Sequence, residues 1–582
     1  MTSLLRPRLA AIAAAPRCIR LFSVSRARRS GQFTISVPAA SSKKSVLDEL
    51  QSRRDVLAAQ NIAPAPSSPD NAAVVLASPE FATWLEDESF MSGLLQGIPL
   101  AKSPEGVSVL VAVVAALAPP ADQIQRQFTL SGLSVAYGNT DCMLPTIWHN
   151  DASETSLRGS RGSIGSDIDK DAAITIEVPP LDASSSSPLR VTLPLANTIF
   201  QNGRRSTLLA GRWASSPGSS SLSLSSIAPH EHDVIIPPFS LSSSSASTST
   251  ATSPSLSSVS AVLFPIAEPL TIAAGLGNIV RQVYDPADPT HKKPIPAARE
   301  LESAIPALLA ARKRSDPTLQ DGAMSVWSLV VPAPLVSFYE QLKQQTSPAL
   351  DALSNDAGAA EHTAEAEQKA AALSSQQFTT LLAAGCRLHK ILSGGGGWGL
   401  KQGLLSLDPQ MSHPAAVFSS KGSDDAKILG EERRDDEMDD EAMLSFIRSF
   451  KSEVMEDEES TSDETETVDG VAMPGAVVQF FVAPLESNAS RDSKENADAG
   501  TDSGPKTSYA HSITLGAQIG YDGSSPAAEA SSNGSHALAF FHNHFGAVSN
   551  HGIFLASSDA PSASPSIRTK LDAPNSHVSY VG

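Results

Sequence analysis

Residues 72–117, AAVVLASPEFATWLEDESFMSGLLQGIPLAKSPEGVSVLVAVVAAL, decide the class of this chain. Ala72 to Ala77 is an unbroken apolar run, the pattern of a strand buried on both faces. A helix start follows, with Ser78 as N-cap, Pro79 at the first helical position and Glu80 at the positive end of the helix dipole. Phe81, Trp84, Leu85, Met91, Leu94 and Leu95 give that helix an apolar side, and Val107 to Leu117 is the next buried run. Strand, helix and strand, joined by a crossover of this length, predict a parallel βαβ unit.

The same alternation continues outward. Strands are expected at 132–138, 174–178, 189–195, 234–236, 259–267, 325–331, 476–485, 511–519 and 537–545. Helices are expected at 46–60, at 297–314 with a kink at Pro306, and at 334–345. Interspersed elements of both kinds predict a mixed α/β protein. We expect one α/β core, 71–420 and 471–556, preceded by a helix and linker at 31–70 and followed by a tail at 557–582. Low-complexity surface inserts at 151–172, 214–231, 239–258 and 352–373 interrupt it, because serine-rich and Ala/Glu-rich runs bury too little apolar surface to offset their ordering entropy.

Charge is distributed unevenly along the chain. Of the formal net charge of −19, the segment 421–470 holds 19 acidic and 6 basic side chains. The remainder is weakly acidic and gives no electrostatic case for nucleic acid. Within the acid, residues 442–454 (AMLSFIRSFKSEV) have helical apolar spacing, and an amphipathic helix in such a tract is either a candidate docking segment for a protein partner or a helix that returns to the core. The longest apolar run is shorter than the ~20 residues a membrane helix needs. Cys18, Cys142 and Cys386 make neither a disulfide framework nor a zinc set.

The N-terminus reads differently from the rest. Seven arginines and no acidic residue occur before Asp48, with serines and small apolar residues between them, the composition of a mitochondrial transit peptide. Arg20-Leu21-Phe22-Ser23 resembles a matrix-processing site. We expect residues 1–30 to be presequence, removal of roughly the first 22 to 30, and residence in the matrix.

Candidate sites are few. A helix is expected from Gln376 through Leu392, with Ser374 and Gln377 as a capping box and Phe378, Leu381, Leu382, Leu388, Ile391 and Leu392 on one side. Gly394 would close it, and Gly395, Gly396, Gly397, Gly399 and Lys401 would form a bare-backbone loop, able either to let another strand approach or to hold an anion. Gly394, Gly396 and Gly399 match G-x-G-x-x-G in letter only, because a dinucleotide loop follows a strand and opens a helix. Asn202-Gly203 is a hairpin signal, with Arg204 and Arg205 beyond it as either phosphate ligands or a solvated edge.

His542 and His544 would share one face of a strand, an acceptable start for a metal site. That pair resembles the opening of a cupin metal motif, without the acidic ligand expected a few residues on. No motif names a cofactor, and G-x-S-x-G, H-E-x-x-H and Walker loops are absent from the sequence. The leading expectation is a non-catalytic matrix accessory or assembly factor that contacts partners through its inserts. The alternative is an anion-binding protein or enzyme built on residues 394–401 with Arg204 and Arg205.

Overall fold

The computed structural model describes residues 30–59, 71–100, 106–147, 172–215, 222–229, 234–236, 256–317, 324–344, 364–394, 403–409, 471–485, 511–518, 538–557 and 567–582, with short gaps inside some spans, and His413. The fold is mixed α/β, as the alternation of elements predicts. No described helix is long and apolar enough to cross a membrane.

The βαβ unit seeds a seven-stranded sheet. Asn71–Ala77 and Val107–Val113 pair in parallel, Ala73 opposite Val109 and Val75 opposite Val111, with helix Glu88–Gly97 between them in the chain. Gly132–Asn139, Gly31–Ser36 and Ala539–His542 extend the sheet on one side, and Leu208–Ser215 and Leu222–Pro229 on the other. One face packs Val75, Val109 and Val135 against Val46, Leu50, Phe90 and Leu94 of the helices. The opposite face sends Val74, Leu76 and Leu110 into the main core. Burial on both faces is why these strands read as unbroken apolar runs.

The helix between them starts later than Ser78-Pro79-Glu80 suggests. Pro79–Trp84 is a 3₁₀ segment, and Ser78 Oγ accepts instead from the Gly132 N–H at 2.9 Å. The α-helix is capped by Asp87, whose carboxylate accepts from the N–H groups of Ser89 and Phe90 at 2.9 and 3.2 Å. The Lys43 ammonium beside Asp87, together with these donors, holds its carboxyl well below the usual carboxylate range.

A second body is a closed antiparallel barrel. Val477–Val482, Leu270–Leu276, Ile279–Tyr284, Leu405–Leu407, Arg387–Gly394 and Val326–Val331 pair in that order, and the last returns to the first. Its interior is filled by Ile272, Val280, Val330, Leu407, Val478 and Phe480, among others. Closure leaves no edge strand among these six. A four-stranded sheet (Ser257–Ser260, Ser576–Val581, Ser512–Ala517, His544–Ser549) and a five-stranded sheet (Arg568–Leu571, Ile553–Ser557, Leu189–Pro194, Ala173–Val178, Val234–Ile236) complete the core.

The barrel overturns the expected helix at 376–392. Helix Ala364–Ala383 ends earlier, and Arg387–Gly394 is a strand. Gly385 takes φ 102°, and Cys386 N–H to Leu381 C=O and Gly385 N–H to Leu382 C=O, both 3.0 Å, make a Schellman stop. The apolar residues beyond it, Leu388 and Ile391, fall at helical spacing by coincidence, because they occupy opposite faces of the strand.

Four further expectations are corrected. Half of the insert expected at 352–373 belongs to helix Ala364–Ala383, whose Glu367 and Ala371 are buried. Within 214–231, Leu222–Pro229 is an edge strand paired with Leu208–Ser215; alternation of Leu222 and Leu224 with serines suffices for an edge that buries one face. The tail at 557–582 supplies strands Arg568–Leu571 and Ser576–Val581, with Val578 and Tyr580 in the main core. The linker expected at 31–70 begins with strand Gly31–Ser36.

Asn202-Gly203 does not form a hairpin. Gly203 has the left-handed φ of 74°, but it closes the single-turn helix Ile199–Asn202, its N–H donating to Ile199 C=O at 3.1 Å. Residues 1–29, 151–171, 237–255 and 410–470 apart from His413, with the docking segment 442–454, lie outside the described residues.

Candidate functional site

Of the sequence-level candidates, Gly394, Arg204, Arg205, His542 and His544 fall among the described residues. Gly394 ends a barrel strand opposite Leu405, so its role is tight hairpin packing, since a Cβ there would meet Leu405 Cδ2 at 2.5 Å. Gly395, Gly396, Gly397, Gly399 and Lys401 lie outside the described residues. Arg204 follows the single-turn helix Ile199–Asn202, bridged to Thr198, and pairs with Glu86 at 3.2 Å, and Arg205 is exposed one residue on.

His542 and His544 are not on one strand face. Asn543 between them has φ 54° and separates strand Ala539–His542 from His544–Ser549. The break turns the rings to different partners. His544 is fully buried, with Nε2–H donating to Ala118 C=O at 2.8 Å and Nδ1 accepting from Ser512 O–H at 2.9 Å. His542 Nε2 lies 3.2 Å from the Arg53 guanidinium. Among the described residues, no cluster of three or more His, Cys, Asp or Glu is placed to hold a metal ion.

Burial pushes the His544 imidazole down to about 4, and it lowers His389, His511, His542 and His577 as well. A depressed folded-state value means that below the ordinary 6.5 the unfolded chain binds the proton first. Stability is therefore intact above neutrality and falls as pH drops from about 6.5 towards 4. We expect His544 alone to remove about 2 kcal/mol between about pH 7.5 and about pH 5. Urea unfolding across that range measures it: His544→Gln should flatten the profile, and a profile identical to wild type would contradict the assignment.

Two polar places not flagged in the sequence come together around strand Arg387–Gly394. On its outer face, Trp327 Nε1–H donates to Asp572 at 2.8 Å, and Lys570 bridges Asp408 at 3.3 Å and Asp572 at 3.9 Å. Burial raises the Asp572 carboxyl, against the opposing pull of Trp327 and Lys570. Thr569 clamps the same strand, accepting from Leu388 N–H at 2.9 Å and donating to Leu388 C=O at 3.1 Å. These charges satisfy one another across the junction of barrel and five-stranded sheet, so they fix its register. On the inner face, Ser328 and His389 lie directly opposite each other, with His389 Nδ1–H donating to Asp408 C=O at 2.8 Å.

An open apolar feature lies on the helical face of the seven-stranded sheet. Met91, Val109, Val111, Leu209, Trp213 and Ile227 line a groove of about 160 Å³. At its floor one glycine lets Leu224 and Trp213 pack closely over the strand. Gly211 pairs across from Val109 between Leu209 and Trp213, and a Cβ there would already touch Leu224 and Trp213 at 3.1 and 3.2 Å. Glu86, Glu88 and Arg204 make the polar rim.

The single-turn helix Ile199–Asn202 is fastened to that rim by Asn202 Nδ2–H to Glu86 at 3.0 Å. It holds Phe200 95 % exposed, with Ile199 at 49 % and groove-lining Ile227 at 53 %. Phe200, Ile199 and Ile227 thus put exposed apolar surface near the groove. Nothing in the sequence marks Phe200 as exposed, and the Asn-Gly dipeptide at 202–203 drew the segment after it into a hairpin reading. Compared with family models, curated proteins and solved structures, the chain matches none. Functional argument therefore rests on this geometry.

Proposed function

We propose that the protein is a non-catalytic accessory or assembly factor of the mitochondrial matrix that works by protein–protein contact through the Phe200 groove. The observation that carries this reading is the groove itself: about 160 Å³, apolar, rimmed by charge and flanked by an exposed aromatic side chain. Small-molecule sites run to about 300–1,000 Å³, whereas an aromatic anchor in a desolvated pocket is the usual centre of a protein interface. The arginine-rich, acid-free N-terminus supports import, and removal of residues up to about 30 would leave strand Gly31–Ser36 intact. The acidic segment 421–470 is a second candidate contact.

A photoreactive benzoylphenylalanine at position 200 of the imported full-length chain tests the reading. Irradiation of intact mitochondria should give a discrete adduct from position 200 and little from the same residue at Leu276, which is 47 % exposed on a barrel strand. Equal labelling from both positions, or none from position 200, would contradict it.

A further inference from the structure

We infer that the barrel encloses a binding site for a single water molecule, held between Ser328 Oγ on one strand and His389 Nε2 on the next. The site is separate from the Phe200 groove and does not depend on the docking reading. Three observations carry it. First, Ser328 of strand Val326–Val331 and His389 of strand Arg387–Gly394 are directly opposed in an antiparallel pair. Ser328 alternates with Val326 and Val330, which fill the barrel interior. Second, Ser328 is 0 % and His389 3 % exposed, yet among the described residues neither Ser328 Oγ nor His389 Nε2 has a hydrogen-bond partner. Native interiors satisfy nearly all such groups, with protein or with water. On its other side Ser328 faces Phe480, which has no polar atom to offer. Third, the imidazole is fixed in place. Its Nδ1–H donates to the Asp408 carbonyl at 2.8 Å, so Nε2 carries a lone pair that needs a donor. Burial keeps the ring neutral by lowering its pKa. The Cβ atoms of opposed residues stand about 4.5–5.5 Å apart, a gap that one water bridges with two hydrogen bonds of about 2.8 Å.

Crystals of the purified chain should show one water-sized density peak within about 3.2 Å of both Ser328 Oγ and His389 Nε2. Ser328→Val replaces the hydroxyl by methyl groups and should remove that peak. Leu392→Ala, at a position 57 % exposed further along the His389 strand, should keep it. In solution, magnetic relaxation dispersion of water counts long-lived internal molecules, and Ser328→Val should lose one relative to wild type and to Leu392→Ala. Four results would overturn the inference: a direct bond from Ser328 O–H to His389 Nε2, density too large for water, an empty wild-type site beside well-defined side chains, or an unchanged count in folded Ser328→Val. Should Ser328→Val fail to fold, the wild-type density decides alone.

Discussion

Gly546→Ala is expected to lose at least about 3 kcal/mol of stability, a large share of the ~5–15 kcal/mol that holds a typical folded protein together. A Cβ at Gly546 would stand 2.0 Å from the Ala118 carbonyl oxygen and 2.9 Å from His544 Nε2. That carbonyl is the acceptor of the buried His544 ring. The backbone cannot retreat, because Val548 N–H donates to Ala116 C=O at 2.8 Å on one side and Gly546 N–H to Ser134 Oγ at 3.0 Å on the other. Gly203→Ala is the matched control. Its φ of 74° is unfavourable for alanine, but nothing lies within 4 Å, so the cost should be about 1 kcal/mol. Thermal and urea unfolding of the two variants distinguish steric exclusion from backbone strain; equal losses would refute the close approach at Gly546.

Arg312→Met should cost about 3–5 kcal/mol, the penalty for leaving a buried carboxylate without its partner. Arg312 Nε and Nη2 each donate to Glu367 at 2.8 Å, and Nη2 also donates to Ala483 C=O at 2.9 Å. Glu367 in turn accepts from the Leu485 N–H at 2.8 Å. One ion pair therefore ties helix Arg299–Ser315 to helix Ala364–Ala383 and to the end of barrel strand Val477–Val482. The Arg312→Met/Glu367→Met double variant should recover most of the loss, since a buried pair and its apolar replacement are often close in stability. A double-mutant cycle by urea unfolding gives the coupling. Additive losses would show that the two side chains act independently.

Elements with a single strong pattern were legible in the sequence. The parallel pair Asn71–Ala77 and Val107–Val113 is announced by two unbroken apolar runs, and the helix expected at 297–314 is present as Arg299–Ser315, continuous through Pro306. Where two patterns overlap, local reading chose wrongly. Residues 376–392 satisfy helical spacing throughout, and only Gly385 and the partners of Arg387–Gly394 in the barrel decide against it. Those partners lie as far away as Val326–Val331, so no local window contains the information.

Short strands in polar company were missed for the same reason. Arg568–Leu571 buries alternate residues only, and Ser576–Val581 buries serines and a histidine beside Val578 and Tyr580, so neither reads as an apolar run; their partners Ile553–Ser557 and Ser512–Ala517 decide them. The candidate site shows the limit most clearly. Phe200 and Gly211 are eleven positions apart on different elements, and their relation depends on Glu86, contributed from the first third of the chain. Lys570, Asp572 and Asp408 are likewise joined only by folding. A side chain's exposure, the property that singles out Phe200, has no signature in composition or periodicity.

The most direct measurement of the docking claim is the landing point of the crosslink from benzoylphenylalanine at position 200. Mass spectrometry of the adduct should identify one partner polypeptide, and the same photoreactive residue at groove-lining Ile227 should label that same polypeptide. Different polypeptides from the two positions, or scattered adducts from position 200, would contradict the account.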